Sequence, residues 1–164
     1  MKRILLAVII LAFGLAACGA EPETAVFPAP IDLAPPPLPT LDTTAVSLGE
    51  QVYAQNCASC HGAELEGEAD WKGQNEDDSF RAPPHSADGH TWHHPDSQLL
   101  NAIAKGGARL PAEVGGASNM PAYAETLTLE EQTAVLTYIK SSWPDDIRQL
   151  QWEQTVRQDG VPSS

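Results

Sequence analysis

Cys57-Ala58-Ser59-Cys60-His61 is the stretch on which the reading of this chain turns. Two thiols three positions apart suit addition across the two vinyl groups of a haem, forming thioethers. The histidine that follows is then held under the iron with its imidazole as a ligand. Two other chemistries share part of this pattern. A redox-active dithiol needs C-x-x-C but has no use for His61, and no βαβ pattern surrounds the segment. A zinc site wants a second pair of Cys or His ligands at matching spacing.

On either side the chain reads as helices. Upstream, Ser47-Leu48-Gly49-Glu50 has the form of a capping box, and Val52 and Tyr53 continue a short helix toward Cys57. Downstream, Leu99, Leu100 and Ile103 mark a helix over Asp96 to Lys105, with Gly106-Gly107 as its stop. A second capping-box pattern, Thr128-Leu129-Glu130-Glu131, opens a last helix. There Val135, Tyr138 and Ile139 form one apolar stripe, and Pro144 ends it.

With these residues in place, the span from Val46 to Trp143 resembles a class I c-type cytochrome with a single haem. The resemblance implies an all-α fold, three main helices wrapped around one covalently bound haem c, with Cys57 and Cys60 as thioethers. Gly49 and Tyr53 match the glycine and aromatic by which the family's first helix packs on its last. Met120 is the one thioether in the chain besides Met1, and it lies in the glycine- and proline-bearing loop from Gly115 to Tyr123. The family carries its axial methionine in such a loop, so His61 and Met120 are the implied iron ligands. Arg81-Ala82-Pro83-Pro84 resembles the segment whose proline carbonyl accepts a hydrogen bond from the proximal imidazole, and Pro83 is the matching acceptor. Trp92 is similar to a tryptophan that donates its indole N–H to a haem propionate in many relatives. With both axial positions filled, the implied role is a one-electron carrier and not an enzyme.

The chain departs from the simplest members in two places. Glu64 to Asp78 is a long acidic insertion containing Glu64, Glu66, Glu68, Asp70, Glu76, Asp77 and Asp78. His85 stands where leucine is common and opens a segment that also carries His90, His93 and His94, together with Asp88. Four imidazoles in ten residues suit copper or zinc, so a copper-handling or redox-sensing haem lipoprotein is the alternative reading. The other reading has them solvating a haem edge, bonding to propionates or capping the next helix.

The ends of the chain give addresses. Lys2 and Arg3 followed by the apolar run Ile4 to Ala17 read as a signal peptide over residues 1–17, too short to span a bilayer as a helix. Leu15-Ala16-Ala17-Cys18 resembles the lipobox of bacterial lipoproteins, which implies acylation of Cys18 and a membrane-anchored, extracytoplasmic protein. Two or three acyl chains anchor firmly where one does not. Lipid on Cys18 and haem on Cys57 and Cys60 account for all three cysteines. Seven of the 14 prolines precede residue 40, so residues 18–45 read as an extended, polyproline-like tether. The cytochrome domain is placed at 46–144, and 145–164 reads as a polar tail that packs on it or docks a partner.

With 9 Lys+Arg against 22 Asp+Glu the formal charge is −13, and loss of Lys2 and Arg3 makes it more negative by two. Nucleic acid is excluded as a partner, since phosphate binding needs clustered cations. A redox protein with a basic docking face suits this charge.

Overall fold

The computed structural model describes residues 37–111 and 116–160. The signal segment, Cys18, the tether up to residue 36 and Gly115 lie outside the described residues. Within them the order is α1 (Thr43–Asn56), α2 (Ala58–His61), β1 (Ser79–Phe80), a 3₁₀ turn (Thr91–His93), α3 (Asp96–Lys105), a second 3₁₀ turn (Gly106–Arg109), β2 (Ala117–Ser118), α4 (Leu129–Ser141) and α5 (Asp145–Asp159). The fold is mainly helical, as expected. No described helix is long and apolar enough to cross a membrane.

The two capping boxes fare differently. Thr128 and Glu131 form theirs in full, each side chain answering the other's backbone N–H at the start of α4. Ser47 does not cap. Helix α1 begins earlier, where the Asp42 carboxylate accepts from the Thr44 and Ala45 amides at 2.7 and 3.3 Å. Ser47 lies inside the helix and donates its hydroxyl to the Thr43 carbonyl at 3.0 Å. The first residues of α1 therefore come from the end of the stretch read as tether.

The α1–α4 pairing is the most extensive helix contact of the fold. Val52, Tyr53, Val135 and Ile139 meet there and join Leu65, Leu127 and Trp143 in one apolar cluster. Gly49 is the point of closest approach, where a Cβ would overlap the Ala134 carbonyl oxygen and stand 2.8 Å from the Tyr138 Cβ. Backbone on the far side cannot rotate away as a side-chain end does. Gly49→Ala is therefore expected to cost about 2–3 kcal/mol through forced separation of the two helices. For a domain of this size that is a fall of roughly 8–20 °C in Tm, read by far-UV circular dichroism.

The segment read as a polar tail is α5, the longest helix among the described residues, packed on the head with Trp152 buried beside Gln151 and Thr155. Its job is visible at the start of α3. Pro95 precedes that helix and caps it with no side chain, so α5 supplies the caps across space. Thr155 Oγ1 accepts from the Asp96 amide at 3.1 Å, and the Asp159 carboxylate accepts from the Ser97 amide and hydroxyl at 2.9 and 2.6 Å. The Asp96 carboxylate in turn takes Lys140 of α4 at 2.5 and 2.7 Å and Gln151 of α5 at 2.6 Å. One carboxylate thus ties three helices together. Arg148 also donates to the Pro39 carbonyl at 2.7 Å, holding the chain just ahead of α1.

Candidate haem-attachment site

Helix α2 is a single turn built on the motif itself. The Cys57 carbonyl accepts from the amides of Cys60 and His61 at 3.1 and 3.0 Å. Both cysteines are free thiols, Cys57 half-buried against the apolar cluster and Cys60 exposed. Burial, reinforced by Cys60, pushes the Cys57 thiol up to about 11. A redox dithiol needs the opposite shift, toward thiolate at neutral pH.

His61 is buried, and its Nδ1 stands 2.8 Å from the Pro83 carbonyl oxygen. A carbonyl only accepts, so Nδ1 carries the proton and the Nε2 lone pair is left for a metal. Burial lowers the His61 pKa against the opposing pull of the Pro83 bond and Glu68. The neutral imidazole that ligation requires is the favoured form at pH 7. The turn after the motif closes when Gly67 N–H donates to the His61 carbonyl at 2.7 Å, with buried Leu65 at φ 64° on the way.

The loop that bears Met120 is tied to the end of α3 and to the residue ahead of Cys57. Gly107 N–H donates to the Met120 carbonyl at 2.8 Å, and the amides of Tyr123 and Ala124 donate to Ile103 and Ala104, both at 3.1 Å. Gly106, at φ 52°, admits the close passage of the Met120 and Pro121 carbonyls, which a Cβ would block. Tyr123 Oη donates to the Asn56 carbonyl at 2.6 Å, one residue before Cys57. The far side of the loop is held by the two residues that follow the acidic insertion. Strands β1 and β2 pair in parallel, and Asn119 donates to Ser79 Oγ at 3.0 Å.

The residues suit a haem. Two free thiols at attachment spacing and one neutral imidazole with its Nε2 lone pair are the donors brought together here. Cys57, Ala58, Trp92, Ile103 and Tyr123 are only partly covered by protein while packing on the core, apolar surface of the kind a flat macrocycle covers.

Other expected neighbours are placed elsewhere or otherwise engaged. Trp92 Nε1 donates to the Ala87 carbonyl at 3.1 Å, the 3₁₀ turn folding the indole back over its own loop. Arg81 Nη1 donates to the Ala69 carbonyl at 3.0 Å and faces Asp70 at 3.8 Å, so it secures the insertion. The four histidines do not gather on one point, although His90 and His94 meet edge to face with ring centres 5.5 Å apart. His85 stacks on His61 with ring centres 4.1 Å apart, His90 on Trp71 at 5.3 Å and His93 on Trp92 at 3.7 Å, while His94 Nδ1 meets Gln98 Oε1 at 3.1 Å. Among the described residues no three His, Cys, Asp or Glu side chains gather to hold a metal. The copper reading therefore has no ligand set here. Burial, with His61 and His90 nearby, holds the His85 imidazole well below its usual pKa. Its place against His61 was not legible from the sequence, where it counted as one of four histidines in a row.

The acidic insertion is partly spent on the fold. Asp77 Oδ1 accepts from the Ser79 amide and hydroxyl at 3.0 and 2.6 Å, and Glu68 accepts from the Ala82 amide at 2.5 Å. Those Ser79 bonds hold the Asp77 carboxyl below its ordinary pKa. Glu64, Glu76 and Asp78 are exposed.

Residues 46–143 match the family model described as Cytochrome c. No curated protein and no solved structure matches the chain. The matched span starts within α1 and stops at Trp143, leaving α5 beyond it.

Proposed function

The chain belongs to the cytochrome c family, whose work is haem-based electron transfer, and from that premise we propose that it is a lipid-anchored monohaem carrier with iron held between His61 and Met120. Haem bound through Cys57 and Cys60 supplies the ferric–ferrous couple. Everything else in the reading is done by the polypeptide. Cys57 and Cys60 fix the group covalently, His61 presents Nε2, Pro83 holds the His61 proton at Nδ1, and the tethered loop offers the Met120 sulfur.

The observation that carries this reading is the 2.8 Å contact of His61 Nδ1 with the Pro83 carbonyl, immediately beside two free thiols at haem-attachment spacing. Support for Met120 comes from the loop, clamped to the end of α3 and, through Tyr123, to the residue ahead of Cys57. Occupation of both axial positions leaves none for a substrate, in keeping with a carrier and not an enzyme. The anchor rests on Leu15-Ala16-Ala17-Cys18, and with it an extracytoplasmic place at a bacterial membrane.

The partner is a redox protein with a basic docking face, on the strength of the net charge of −13 and the exposed Glu64, Glu76 and Asp78. Small redox complexes of either charge test both parts of the proposal. Oxidation of the reduced protein by a cationic cobalt(III) complex is expected to pass one electron per chain to the complex and to slow as salt rises toward physiological strength. Oxidation by an anionic ferricyanide-type complex is expected to quicken over the same range. Glu64→Gln/Glu76→Gln should flatten both slopes while leaving the fold intact, since these carboxylates are exposed. Asp77 is unsuitable for such a variant because it holds Ser79. Rates flat in salt for both complexes would remove the electrostatic docking, and a stoichiometry other than one would remove the single haem.

A further inference from the structure

We infer that His85 is a positioning residue that sets the plane of the His61 imidazole. The inference rests on His61 being the axial ligand. The Pro83 carbonyl fixes which nitrogen carries the proton, but a carbonyl oxygen accepts over a broad range of directions, so that bond alone lets the ring rock. A second ring packed on its face removes that freedom. The His85 ring lies 4.1 Å from the His61 ring at an interplanar angle of 23°.

His85 is itself fixed on every side. Its amide donates to the Leu65 carbonyl at 2.8 Å, and its carbonyl accepts from Trp143 Nε1 at 2.6 Å. The ring is held by Thr91, whose buried Oγ1 stands 2.9 Å from His85 Nδ1. Thr91 Oγ1 donates its own proton to the Pro84 carbonyl at 3.3 Å, so His85 Nδ1 must be the donor in the pair. The result is a closed circuit. Pro83 accepts from His61, its neighbour Pro84 accepts from Thr91, Thr91 accepts from His85, and His85 stacks on His61. Both imidazoles are referred to one rigid Pro-Pro dipeptide, whose φ angles the rings lock.

The plane of an axial imidazole determines which iron d orbital its π system overlaps. In an oxidised low-spin haem protein that orientation governs the order and spread of the paramagnetically shifted haem methyl resonances. The test uses the full oxidised holoprotein and reads those resonances by proton NMR. His85→Leu and Thr91→Val are expected to reorder or respread them, while Thr91→Ser, which keeps the hydroxyl, returns the wild-type pattern. Covalent haem and a low-spin visible spectrum should persist in all three variants. A wild-type methyl pattern in both His85→Leu and Thr91→Val, even with a lowered Tm, would overturn the inference and leave His85 as packing. Should His85→Leu fail to fold, the contrast of Thr91→Val with Thr91→Ser decides alone. A wild-type protein whose low-spin spectrum is lost on neither His61→Ala nor His61→Gly would instead sink the axial role of His61, independently of the methyl pattern.

Discussion

The Cys57→Ala/Cys60→Ala protein is expected to surrender all of its haem to acid acetone, whereas the wild-type chain keeps it through extraction and still stains for haem on a denaturing gel. No change available to this protein has a larger effect, because a covalent bond is exchanged for an equilibrium. The two thiols contribute unequally. Cys60 is exposed, and its replacement removes one thioether and little else. Cys57 packs on the apolar cluster beside Ala58 and Tyr123, so its replacement also opens a gap in that flank. Cys60→Ala should accordingly retain haem through the remaining bond with near-native stability, and Cys57→Ala should retain it with a lower Tm. The double variant has a further consequence for folding. Without the group, the partly covered side chains of Trp92, Ile103 and Tyr123 stay exposed to water, and the domain is expected to melt earlier and to bind hydrophobic dye. Haem that washes out of the wild-type chain under the same treatment would end the thioether reading.

What the sequence disclosed and what it concealed follow from the range of the interactions. The attachment motif, the Thr128–Glu131 box and the span of α3 are local patterns, and each is found where its residues place it. Gly49 was legible because a family position and a helix face coincide there. The start of α1 was not, since the cap read from the sequence was Ser47, whereas the Asp42 carboxylate captures the free amides. Helix α5 was hidden for a different reason. It buries Gln151 and Thr155 against Asp96, which Lys140 also holds, so it carries no apolar stripe for periodicity to detect. A polar network joining Asp96 to residues 44 or more positions away leaves no mark on local spacing. The partners of the histidine segment were hidden by the same route. Imidazoles close in sequence suggested a shared ion, yet the partners that claim them are Trp71, Trp92, Gln98 and His61, each from a different direction.

Met120→Ala is expected to abolish the far-red sulfur-to-iron band of the oxidised protein and to lower its reduction potential by the order of 0.2 V, a fraction of the roughly 0.8 V range that axial ligands command. The sign follows from the donor. A thioether favours ferrous iron over ferric more than imidazole, water or hydroxide does, so its removal favours the oxidised state. The loop explains why the effect should stay at the iron. Its path is held by backbone and neighbouring side chains: the Met120 carbonyl by Gly107, the Met120 amide by Ser118 Oγ at 3.3 Å, and Tyr123 by Ile103 and Asn56. None of these bonds uses the Met120 side chain. The variant should therefore keep its covalent haem and its helical content while its spectrum and potential change together. Met120→His makes a sharper companion, because a second imidazole restores a low-spin spectrum without restoring the band or the potential. Were Met120→Ala to keep both band and potential, the sulfur would be packing against the core and not ligating. The sixth ligand would then have to be sought among the histidines of the His85–His94 segment, where His85 is already committed to the face of His61.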